Sequence, residues 1–541
     1  MIRQEIAKSV EKAIKELQKD KTLPAFDVPE IRIEKTEIKN HGDYSTNIAM
    51  IMAKSVREKP ILIAERLKYK IQNIKYKILD RVELVQPGFI NFFISDEYLQ
   101  KQVSEILNQK EKFGKLKIGK SKKLQVEFIS ANPTGPLTVG NARGGPFGDT
   151  LANVLEMAGF KVEKAYYIND YGMQILALGH SVLKDSEAVY KGDYIEYLNA
   201  KIKSKDPYEA GQEAASIIIN EMIKKTVKRF GVDYDEWFSE AILHESKAID
   251  KAIYFLKGKK LTFEEDGALW FKSTDFGDQR DRVLIKQDGQ KTYLAGDIAY
   301  HKYKFETKKF DKVIDIWGAD HHGDVPGLQA AIDALGYKGK LDIILLQFVT
   351  LFENKEKLRM SKREGRYVTL DELLDKVGSD VFRFFSLQKS ADTHLNFDLA
   401  LAQEQSEKNP VYYVQYAHAR ICSILQKSNA EYKIPQRRES ALRGRQDAKY
   451  ELLQHPSELE LIKQLTRLPE IVEDTAQDYQ VQRIPQYALG LAESFHRFYH
   501  DCRVISDDKK LTEARLALVS ATKVALENTL ALMGISAPEK M

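Results

Sequence analysis

The sequence predicts an α/β protein of several domains, with a parallel β-sheet in its central part. An apolar run rich in β-forming residues, 124–130, precedes a turn of Gly and Pro residues and a helical pattern that ends near Gly159. A second such run follows at 160–169, and the order strand, helix, strand is typical of a parallel sheet. The segments 312–323 and 341–352 repeat the pattern of a strand that leads into a loop. We therefore expect these segments to share one sheet.

The composition indicates a folded chain without a disulfide framework. At roughly 150 residues per domain, 541 residues correspond to three or four domains. Aromatic residues make up 10% of the chain, which is more than disordered chains contain. The two cysteines, Cys422 and Cys502, are too few for a disulfide framework or a four-cysteine zinc site. We therefore expect no protein-bound zinc.

Charge and hydropathy indicate the compartment but not the partner. The net charge of +4 neither demands nor excludes nucleic acid. The N-terminus lacks the continuous apolar core of a secretory leader, and the longest apolar stretch, 343–352, is too short to span a bilayer. Unpaired thiols also fit a reducing compartment. We expect a cytoplasmic protein that has no contact with a membrane.

Residues 1–116 predict a small α+β domain. The segment 81–95 predicts two short strands around a Pro-Gly turn, and the Lys-rich segment 117–123 predicts a linker. An amphipathic N-terminal helix is indicated by apolar residues on one helical face, at Ile2, Ile6, Val10, Ile14 and Leu17.

The remaining chain divides into a catalytic region, 117–398, and a helical region, 399–541. The catalytic region contains a partly helical stretch, at about 178–285, that we interpret as an insertion into the sheet. The polar tract 427–451 predicts a loop within an all-helical bundle. Long helical patterns in this bundle start at Pro410, Glu458, Tyr479 and Thr512.

The turn 129–145 is the first motif with a chemical meaning. A Gly-rich loop between a strand and a helix presents free N–H groups to phosphate. Gly135 and Gly140 allow close backbone approach, while Pro133 and Pro136 stiffen the turn. The alternative is a tight structural turn without a ligand.

The segment 359–365, with the sequence RMSKREG, is the second motif. A Ser, a Lys and two Arg residues on a loop suit a pyrophosphate leaving group, on which charge builds in the transition state. The alternative is a solvated basic loop.

Together these motifs resemble the two signatures of class I aminoacyl-tRNA synthetases. TVGN, 138–141, stands where that class has H-I-G-H, and RMSKR, 359–363, stands where it has K-M-S-K-S. Further strings, in the expected order over nearly the whole chain, resemble the arginyl-tRNA synthetase family: GDYSTNIAM (42–50), QPGFINFFI (86–94), SANPTGPL (130–137), YYINDYGMQI (166–175), YLAGDIAYHKYK (293–304), WGADHHGDV (317–325) and NPVYYVQYAHARI (409–421). The resemblance implies a Rossmann-type catalytic domain with an insertion, an α+β domain that binds the tRNA elbow, and a helical anticodon-binding domain.

The resemblance implies the catalytic residues and also shows a departure from the family pattern. Thr138 and Asn141 replace two His residues, and neither can carry a positive charge. Activity is therefore either reduced or compensated by another cation, for which Arg143 is a candidate. The residues of the two signatures that the resemblance makes catalytic are Thr138, Gly140, Asn141, Arg359, Met360, Ser361 and Lys362.

The substrate-binding residues also follow from the resemblance. Glu240, Tyr293 and Asp297 match the pocket for the arginine guanidinium, and Asn132 matches a residue that holds the amino-acid end. Carboxylates suit the planar fork of a guanidinium, and lysine would leave some acceptors unpaired, so no editing site is expected. A single carboxylate such as Asp297 could otherwise be a surface or capping residue.

ATP is expected at the glycine-rich loops. The cluster Asp320, His321 and His322 could alternatively bind a metal, or His322 could pack as a polar residue, but adjacent His side chains rarely converge on one ion. Mg²⁺ is expected on the phosphates, without a dedicated protein site. The residues implied to contact ATP are Pro133, Gly135, Gly140, Gly318, Asp320, His322 and Lys362.

Both terminal domains are expected to bind tRNA. Phe89 and Asn91 match the elbow-binding surface. Tyr412, Tyr416 and Arg420 lie on one helical face, where they could stack on bases. The alternatives are a core strand and bundle packing, respectively.

The implied reaction attaches L-arginine to its tRNA through an adenylate and depends on bound tRNA, with the enzyme as a monomer. Two alternatives remain from the sequence. One is a class I synthetase for another amino acid. The other is a catalytically weakened or non-catalytic tRNA-binding relative, which the Thr138 and Asn141 replacements suggest.

Overall fold

The structure is a computed structural model. It describes residues 1–36, 38–73, 77–353, 356–357, 368–432 and 450–541.

The N-terminal region is an antiparallel sheet covered by helices, as predicted. Helix α1 buries the apolar face that the sequence indicates, including Ile6 and Val10. The sheet has the strand order β1-β2-β4-β3. The elements are α1 (Ile2–Lys19), β1 (Glu34–Lys35), β2 (Tyr44–Thr46), α2 (Ile48–Val56), α3 (Pro60–Asn73), β3 (Leu79–Val85), β4 (Phe89–Ile94) and α4 (Asp96–Gln109).

The centre of the molecule is a five-stranded sheet in which every pair of neighbours is parallel. This confirms the predicted α/β class, and the four predicted segments all contribute. The fifth strand comes from within 178–285, so part of the stretch interpreted as an insertion belongs to the sheet itself. In spatial order the strands are β12 (Leu341–Leu346), β11 (Lys312–Gly318), β5 (Lys123–Glu127), β6 (Lys161–Ile168) and β7 (Glu236–Ser239).

The strand order creates a crevice between β5 and β11. From β5 the chain winds to β6 and β7 on one side, and it later places β11 and β12 on the other side. Open parallel sheets bind ligands at the carboxyl ends of the strands where the winding direction reverses. The first signature follows β5, and the segment 317–325 follows β11, so both lie at this reversal point.

The other elements of the catalytic region, and the short helix that opens the C-terminal region, surround this sheet. Strands β8 to β10 form a small antiparallel sheet, and a π-helical turn, Ile218–Ile223, joins α9 to α10. The elements are α5 (Val139–Ala142), α6 (Gly144–Met157), α7 (Met173–Leu183), α8 (Asp193–Asn199), α9 (Pro207–Ile217), α10 (Lys224–Arg229), α11 (Ala241–Glu245), α12 (Ala248–Gly258), β8 (Thr262–Glu265), β9 (Ala268–Phe271), β10 (Arg282–Ile285), α13 (Tyr293–Lys302), α14 (Val325–Ala334), β13 (Val349–Glu353), β14 (Glu356–Lys357), α15 (Leu370–Val377), α16 (Ser379–Leu387), β15 (Leu395–Asp398) and α17 (Leu399–Gln403).

The C-terminal region is helical, as predicted, with small shifts in the helix starts. Tyr479 does not begin a helix; it ends α20 in the left-handed conformation, with a φ of 62°. The helix from Pro410 continues to Tyr432, into the predicted loop 427–451, of which residues 433–449 lie outside the described part of the chain. The helices are α18 (Pro410–Tyr432), α19 (Pro456–Leu465), α20 (Leu468–Asp478), α21 (Arg483–Asp501) and α22 (Lys509–Leu532).

Polar contacts tie the N-terminal region to the C-terminal helices. The buried carboxylate of Glu470 accepts hydrogen bonds from the Tyr44 hydroxyl, at 2.9 Å, and from the Arg3 backbone N–H, at 3.2 Å. The Arg3 guanidinium also pairs with Glu473 and Asp474. Within the described ranges, no helix is both long enough and apolar enough to cross a bilayer.

Candidate active site

The first-signature loop leaves strand β5 through two strained residues. Ile129 and Ser130 have φ angles of 67° and 39°, which non-glycine residues rarely adopt. The Ser130 hydroxyl oxygen accepts a hydrogen bond from the Tyr167 N–H at 3.0 Å. This contact with the neighbouring strand holds the sharp exit of the loop.

Two tyrosine side chains hold the backbone of this loop through hydrogen bonds. The Tyr166 hydroxyl donates to the Ala131 carbonyl at 2.8 Å, and the Tyr194 hydroxyl donates to the Thr134 carbonyl at 3.0 Å. A Cβ atom at Gly135 would lie 3.2 Å from the Tyr194 ring, so glycine permits this close approach. Of the predicted residues in this loop, Pro133 is buried and Asn132 is exposed.

The two residues that replace His in the first signature contact each other. The Thr138 hydroxyl donates a hydrogen bond to Asn141 Oδ1 at 2.7 Å, across the start of α5. Gly140, between them, is exposed, and a Cβ atom there would lie 3.8 Å from the Thr138 hydroxyl oxygen. The pair therefore offers neutral polar groups at the crevice, where the family pattern has imidazoles.

Arg143 does not supply a compensating cation to the crevice, contrary to the sequence-based suggestion. Its side chain is buried, and it donates to the carbonyl oxygens of Gln347 and Thr393, at 2.6 Å and 2.9 Å, and of Ser390, at 2.9 Å. These contacts direct the guanidinium into the protein. Burial lowers the pKa of Arg143 to about 10.

Glu240, at the carboxyl end of β7, and Asp297, within α13, lie in a strongly acidic environment. Glu240 follows β7, and its N–H donates to the Ile168 carbonyl at the end of β6. Burial, and then the Asp170 carboxylate, raise the pKa of Glu240 to about 7. Burial and the surrounding carboxylates, with Glu127 first among them, raise the pKa of Asp297 to about 8.

Among the described residues, neither carboxylate of this acidic pair, Glu240 or Asp297, forms an ion pair with a Lys or Arg. Lys304 offsets part of the rise in the pKa of Asp297, but its ammonium group pairs with Glu127 and Asp315. The buried Oε2 atom of Glu240 has no hydrogen-bond partner in that part of the chain. The closest basic group to Glu240 Oε1 is the His244 imidazole, at 3.7 Å, and burial lowers the pKa of that group. The pair is therefore suited to a cationic ligand.

A buried ionic network lies next to the acidic pair, and the sequence did not predict it. Lys304, which has no exposed side-chain surface, contacts Glu127 and Asp315, each at 2.9 Å. The His301 imidazole contacts Asp315 at 2.8 Å. Although burial alone would raise it, Lys304 and His301 lower the pKa of Asp315 to about 2. The sequence feature that could have predicted this network is a carboxylate within an apolar strand pattern, as at Glu127 and Asp315.

Aromatic side chains stand beside the acidic pair. Tyr293, at the start of α13, is 70% exposed, so one predicted wall of the pocket faces solvent. The Tyr171 and His244 rings stack at 3.7 Å between centroids. Neither Tyr171 nor His244 was predicted from the sequence. Tyr171 belongs to the string 166–175, but nothing next to it in the sequence marks it as a site residue.

The segment after β11 is exposed at the other side of the crevice. Gly318, Asp320 and His322 all lie on this surface, and the His322 Nδ1 atom lies 3.3 Å from the Ala319 carbonyl oxygen. His322 is therefore not a packed core residue. Across the described residues, no group of three or more His, Cys, Asp and Glu side chains could hold a metal ion.

The predicted residues of the second signature, Arg359, Met360, Ser361 and Lys362, lie outside the described residues. Its described neighbours are β13 and β14 before it and α15 after it. Helix α15 begins with a capping box in which Thr369 and Glu372 bond reciprocally.

The two residues predicted at the tRNA elbow have different surroundings. Phe89 is 38% exposed at the start of β4. Asn91 is buried, and its Oδ1 atom accepts from the Ser45 hydroxyl at 2.7 Å. Asn91 therefore braces the sheet, and of the two only Phe89 presents a surface.

The predicted face of α18 forms a continuous aromatic and cationic surface. The Tyr412 and Tyr416 rings stack at 6.3 Å, and Arg420 donates to the Tyr416 hydroxyl at 2.8 Å. From α21, Tyr499 lies 5.0 Å from the Arg420 guanidinium, and His496 stacks on Tyr416. Sequence reasoning missed the last two because they come from another helix.

Comparisons with known protein families cover most of the chain. Residues 4–94 match the arginyl tRNA synthetase N terminal domain, residues 102–188 and 183–383 match the catalytic domain of class I (R) tRNA synthetases, and residues 414–541 match the DALR anticodon binding domain.

Individual relatives agree with these matches. The chain is 43% identical to a protein of Heliobacterium modesticaldum named arginine–tRNA ligase, over 100% of this chain and 99% of that one. It is 41% identical to the protein of that name from Bacillus subtilis, over 99% and 100% of the two chains.

Solved structures show the same architecture. An arginyl-tRNA synthetase structure from Campylobacter jejuni has a TM-score of 0.74 and 33% identity, and covers 83% of this chain and 100% of its own. The Thermus thermophilus arginyl-tRNA synthetase, at 21% identity, has a TM-score of 0.77 over 100% of both chains and shares the fold. The chain belongs to the arginyl-tRNA synthetase family of class I aminoacyl-tRNA synthetases.

Proposed function

We propose that this chain attaches L-arginine to its cognate tRNA through an arginyl-adenylate, at the expense of ATP. Membership of the family supports the reaction. Arginine is inferred as the substrate from the acidic pair, Glu240 and Asp297, whose carboxyl groups have raised pKa values and form no ion pair with a Lys or Arg among the described residues. A guanidinium stays protonated and presents planar donors to such carboxylates.

The reaction has two steps, and neither needs a protein nucleophile. The arginine carboxylate attacks the α-phosphorus of ATP, an O–P bond forms, and the bond to the pyrophosphate leaving group breaks. The 2′-hydroxyl of the terminal tRNA ribose then attacks the activated carbonyl and releases AMP. Catalysis thus depends on positioning and on stabilising charge at the phosphates.

We assign roles by position around the crevice between β5 and β11. Asn132, Glu240, Tyr293 and Asp297 hold arginine. The adenosine and phosphates of ATP meet the loop after β5, through Pro133, Gly135 and Gly140, and the loop after β11, through Gly318, Asp320 and His322. The Asn141 amide N–H donates to the phosphates, and the Thr138 hydroxyl orients this amide through its bond to Asn141 Oδ1. In the second signature, Arg359, Met360, Ser361 and Lys362 complete the phosphate contacts.

Mg²⁺ enters this proposal as a companion of ATP. It prefers phosphate oxygens and water, and needs few protein ligands when it binds with a nucleotide. Its role is to neutralise charge on the phosphates. No protein-bound zinc is part of the proposal.

The domain roles follow the same logic. Residues 1–116 bind the tRNA elbow, with Phe89 at the surface. Residues 117–398 carry the chemistry, and residues 399–541 bind the anticodon, with Tyr412, Tyr416 and Arg420 stacking on its bases. We propose a monomer that works in the cytoplasm, where tRNA is charged for translation.

Charging tests this proposal. Purified protein, ATP, Mg²⁺ and the arginine tRNA are incubated with labelled arginine or labelled lysine, and acid-precipitable label is measured. We expect charging with arginine and rejection of lysine by about 10⁴-fold or more, because lysine leaves acceptors in the pocket unpaired. Equal charging with both amino acids would refute the assigned substrate.

Neither alternative from the sequence has support in these observations. The relatives named above carry the name of the arginine ligase, and not of a synthetase for another amino acid or of a non-catalytic relative. The acidic pair also fits arginine specifically. We therefore expect the chain to be active although Thr138 and Asn141 replace the two His residues.

A further inference from the structure

Arg143 is a buried cation that is held by backbone oxygens. Its side chain is 2% exposed, and its two terminal nitrogens donate to three carbonyls. We call these carbonyls, of Gln347, Ser390 and Thr393, the carbonyl cradle.

No carboxylate forms an ion pair with Arg143 within the described residues. The nearest acidic group that affects it, Asp392, is exposed and instead bonds to the Ser390 hydroxyl at 2.5 Å. Burying a cation without a paired anion costs desolvation energy. A guanidinium can still reach several carbonyls at once because its donors form a rigid planar fork, whereas an ammonium group places all its donors on one atom.

The carbonyl cradle lies at the starts of two strands, with Gln347 before β13 and with Ser390 and Thr393 before β15. Gln347 directly precedes β13, and its N–H donates to the Ala391 carbonyl at 2.9 Å. The Thr350 hydroxyl lies 2.7 Å from His394 Nε2. Strands β13 and β15 run parallel from this point, so Arg143 holds the starts of both strands together.

The first signature also contacts the chain that follows the second signature. The Leu370 N–H donates to the Leu137 carbonyl at 2.8 Å, and Thr138 forms an isolated antiparallel bridge with Thr369. The first signature is therefore joined to both described flanks of the second, by backbone bonds on one side and by Arg143 on the other.

We propose that Arg143 is a positioning residue for the activation of ATP. It fixes the helix that carries Thr138 and Asn141 against the carbonyl cradle, and so keeps the first signature at a constant position relative to β13 and β15. This inference rests on the proposed function. It replaces the idea that Arg143 acts as a free cation on the phosphates.

The test compares Arg143→Lys and Arg143→Met in the full-length protein. Arginine-dependent exchange of labelled pyrophosphate into ATP is measured with tRNA present, together with the KM for arginine, tRNA affinity by filter binding, and circular dichroism. We expect both variants to lower kcat about tenfold or more, because small misplacements at reacting groups are costly. The KM for arginine and the tRNA affinity stay unchanged, since both sites lie elsewhere.

Two further variants keep the test decisive. Thr350→Val removes the bond to His394 and loosens the carbonyl cradle without touching Arg143; it should lower kcat by a smaller factor. Arg483→Lys, at a surface ion pair with Asp478, is the matched control and should keep full activity.

Several results would overturn the inference. Full kcat in Arg143→Lys would mean that charge alone suffices. A parallel loss of kcat, arginine binding and tRNA binding would indicate general loss of structure. If both Arg143 variants fail to fold, unchanged kcat in Thr350→Val overturns it. An inactive wild-type protein would instead refute the proposed function, and this inference with it.

Discussion

At the scale of single residues, the pocket for the substrate depends on the Glu240 carboxylate. Replacing it by Gln keeps the shape but removes the charge that faces the guanidinium. We expect Glu240→Gln to raise the KM for arginine about 30-fold or more, because a charge-assisted hydrogen bond contributes about 2–3 kcal/mol. Steady-state charging at varied arginine concentration measures this.

The matched control is Glu245→Gln, on the exposed end of α11. It removes a carboxylate from the same helix without changing the pocket. An equal rise in KM in both variants would mean that overall charge, and not the Glu240 contact, attracts arginine.

The same two carboxyl groups make arginine binding depend on pH. The raised pKa values, about 7 for Glu240 and about 8 for Asp297, mean that both are partly protonated near neutrality in the free protein. A bound guanidinium favours the ionised forms, so binding releases protons. Affinity for arginine should therefore rise about tenfold or more from about pH 6 to about pH 9.

Isothermal titration in buffers of different ionisation enthalpy measures the proton release directly. An affinity that stays constant over this pH interval, with no protons released, would contradict the placement of this acidic pair at the substrate.

At the scale of elements, the Lys304 network joins α13 and the π-helical turn after it, Tyr303–Thr307, to β5 and β11. Lys304→Met would leave Glu127 and Asp315 buried next to each other without their cation. We expect it to lower the free energy of unfolding of the catalytic region by about 3–5 kcal/mol. The fluorescence of Trp237 and Trp317, which lie in β7 and β11, follows the urea transition of this sheet.

Lys302→Met, two residues earlier at the end of α13, is the control. Lys302 pairs with Glu306 nearer the surface, and an exposed pair contributes less than about 1 kcal/mol. Equal shifts of the urea midpoint in the two variants would show that the buried network carries no special stability.

Elements differ in how far the sequence predicts them. The apolar face of α1 and the order β5–α6–β6 follow from local hydrophobic patterns, and the structure confirms them. Strand β7 was not predicted because its four residues, within a long polar stretch, are too few to show a hydrophobic pattern. Its pairing with β6 is a long-range property of the fold.

The same limit explains which residues of the candidate site the sequence could predict. Motif strings identify Glu240 and Asp297, since each lies within a recognisable segment. The role of Arg143 depends on backbone carbonyls from distant segments, which have no side-chain signature. His496 and Tyr499 join Tyr416 and Arg420 only when two helices pack together.

At the scale of the whole molecule, Glu470 links the N-terminal region to the C-terminal helices. Glu470→Ala would leave the Tyr44 hydroxyl and the Arg3 N–H buried without their acceptor, at a cost of about 1–3 kcal/mol. We expect faster hydrogen exchange in α1 and α20, and unchanged exchange in the central sheet.

The matched control is Glu493→Ala, which removes an exposed carboxylate from α21. Unchanged exchange in α1 of the Glu470 variant would show that other contacts dock the N-terminal region.

The central claim is that this chain activates arginine with ATP. Arginine-dependent exchange of labelled pyrophosphate into ATP, measured with and without the arginine tRNA, tests it most directly. We predict exchange that requires arginine and appears only when tRNA is present. The absence of exchange under both conditions, in protein that binds tRNA tightly, would contradict the claim.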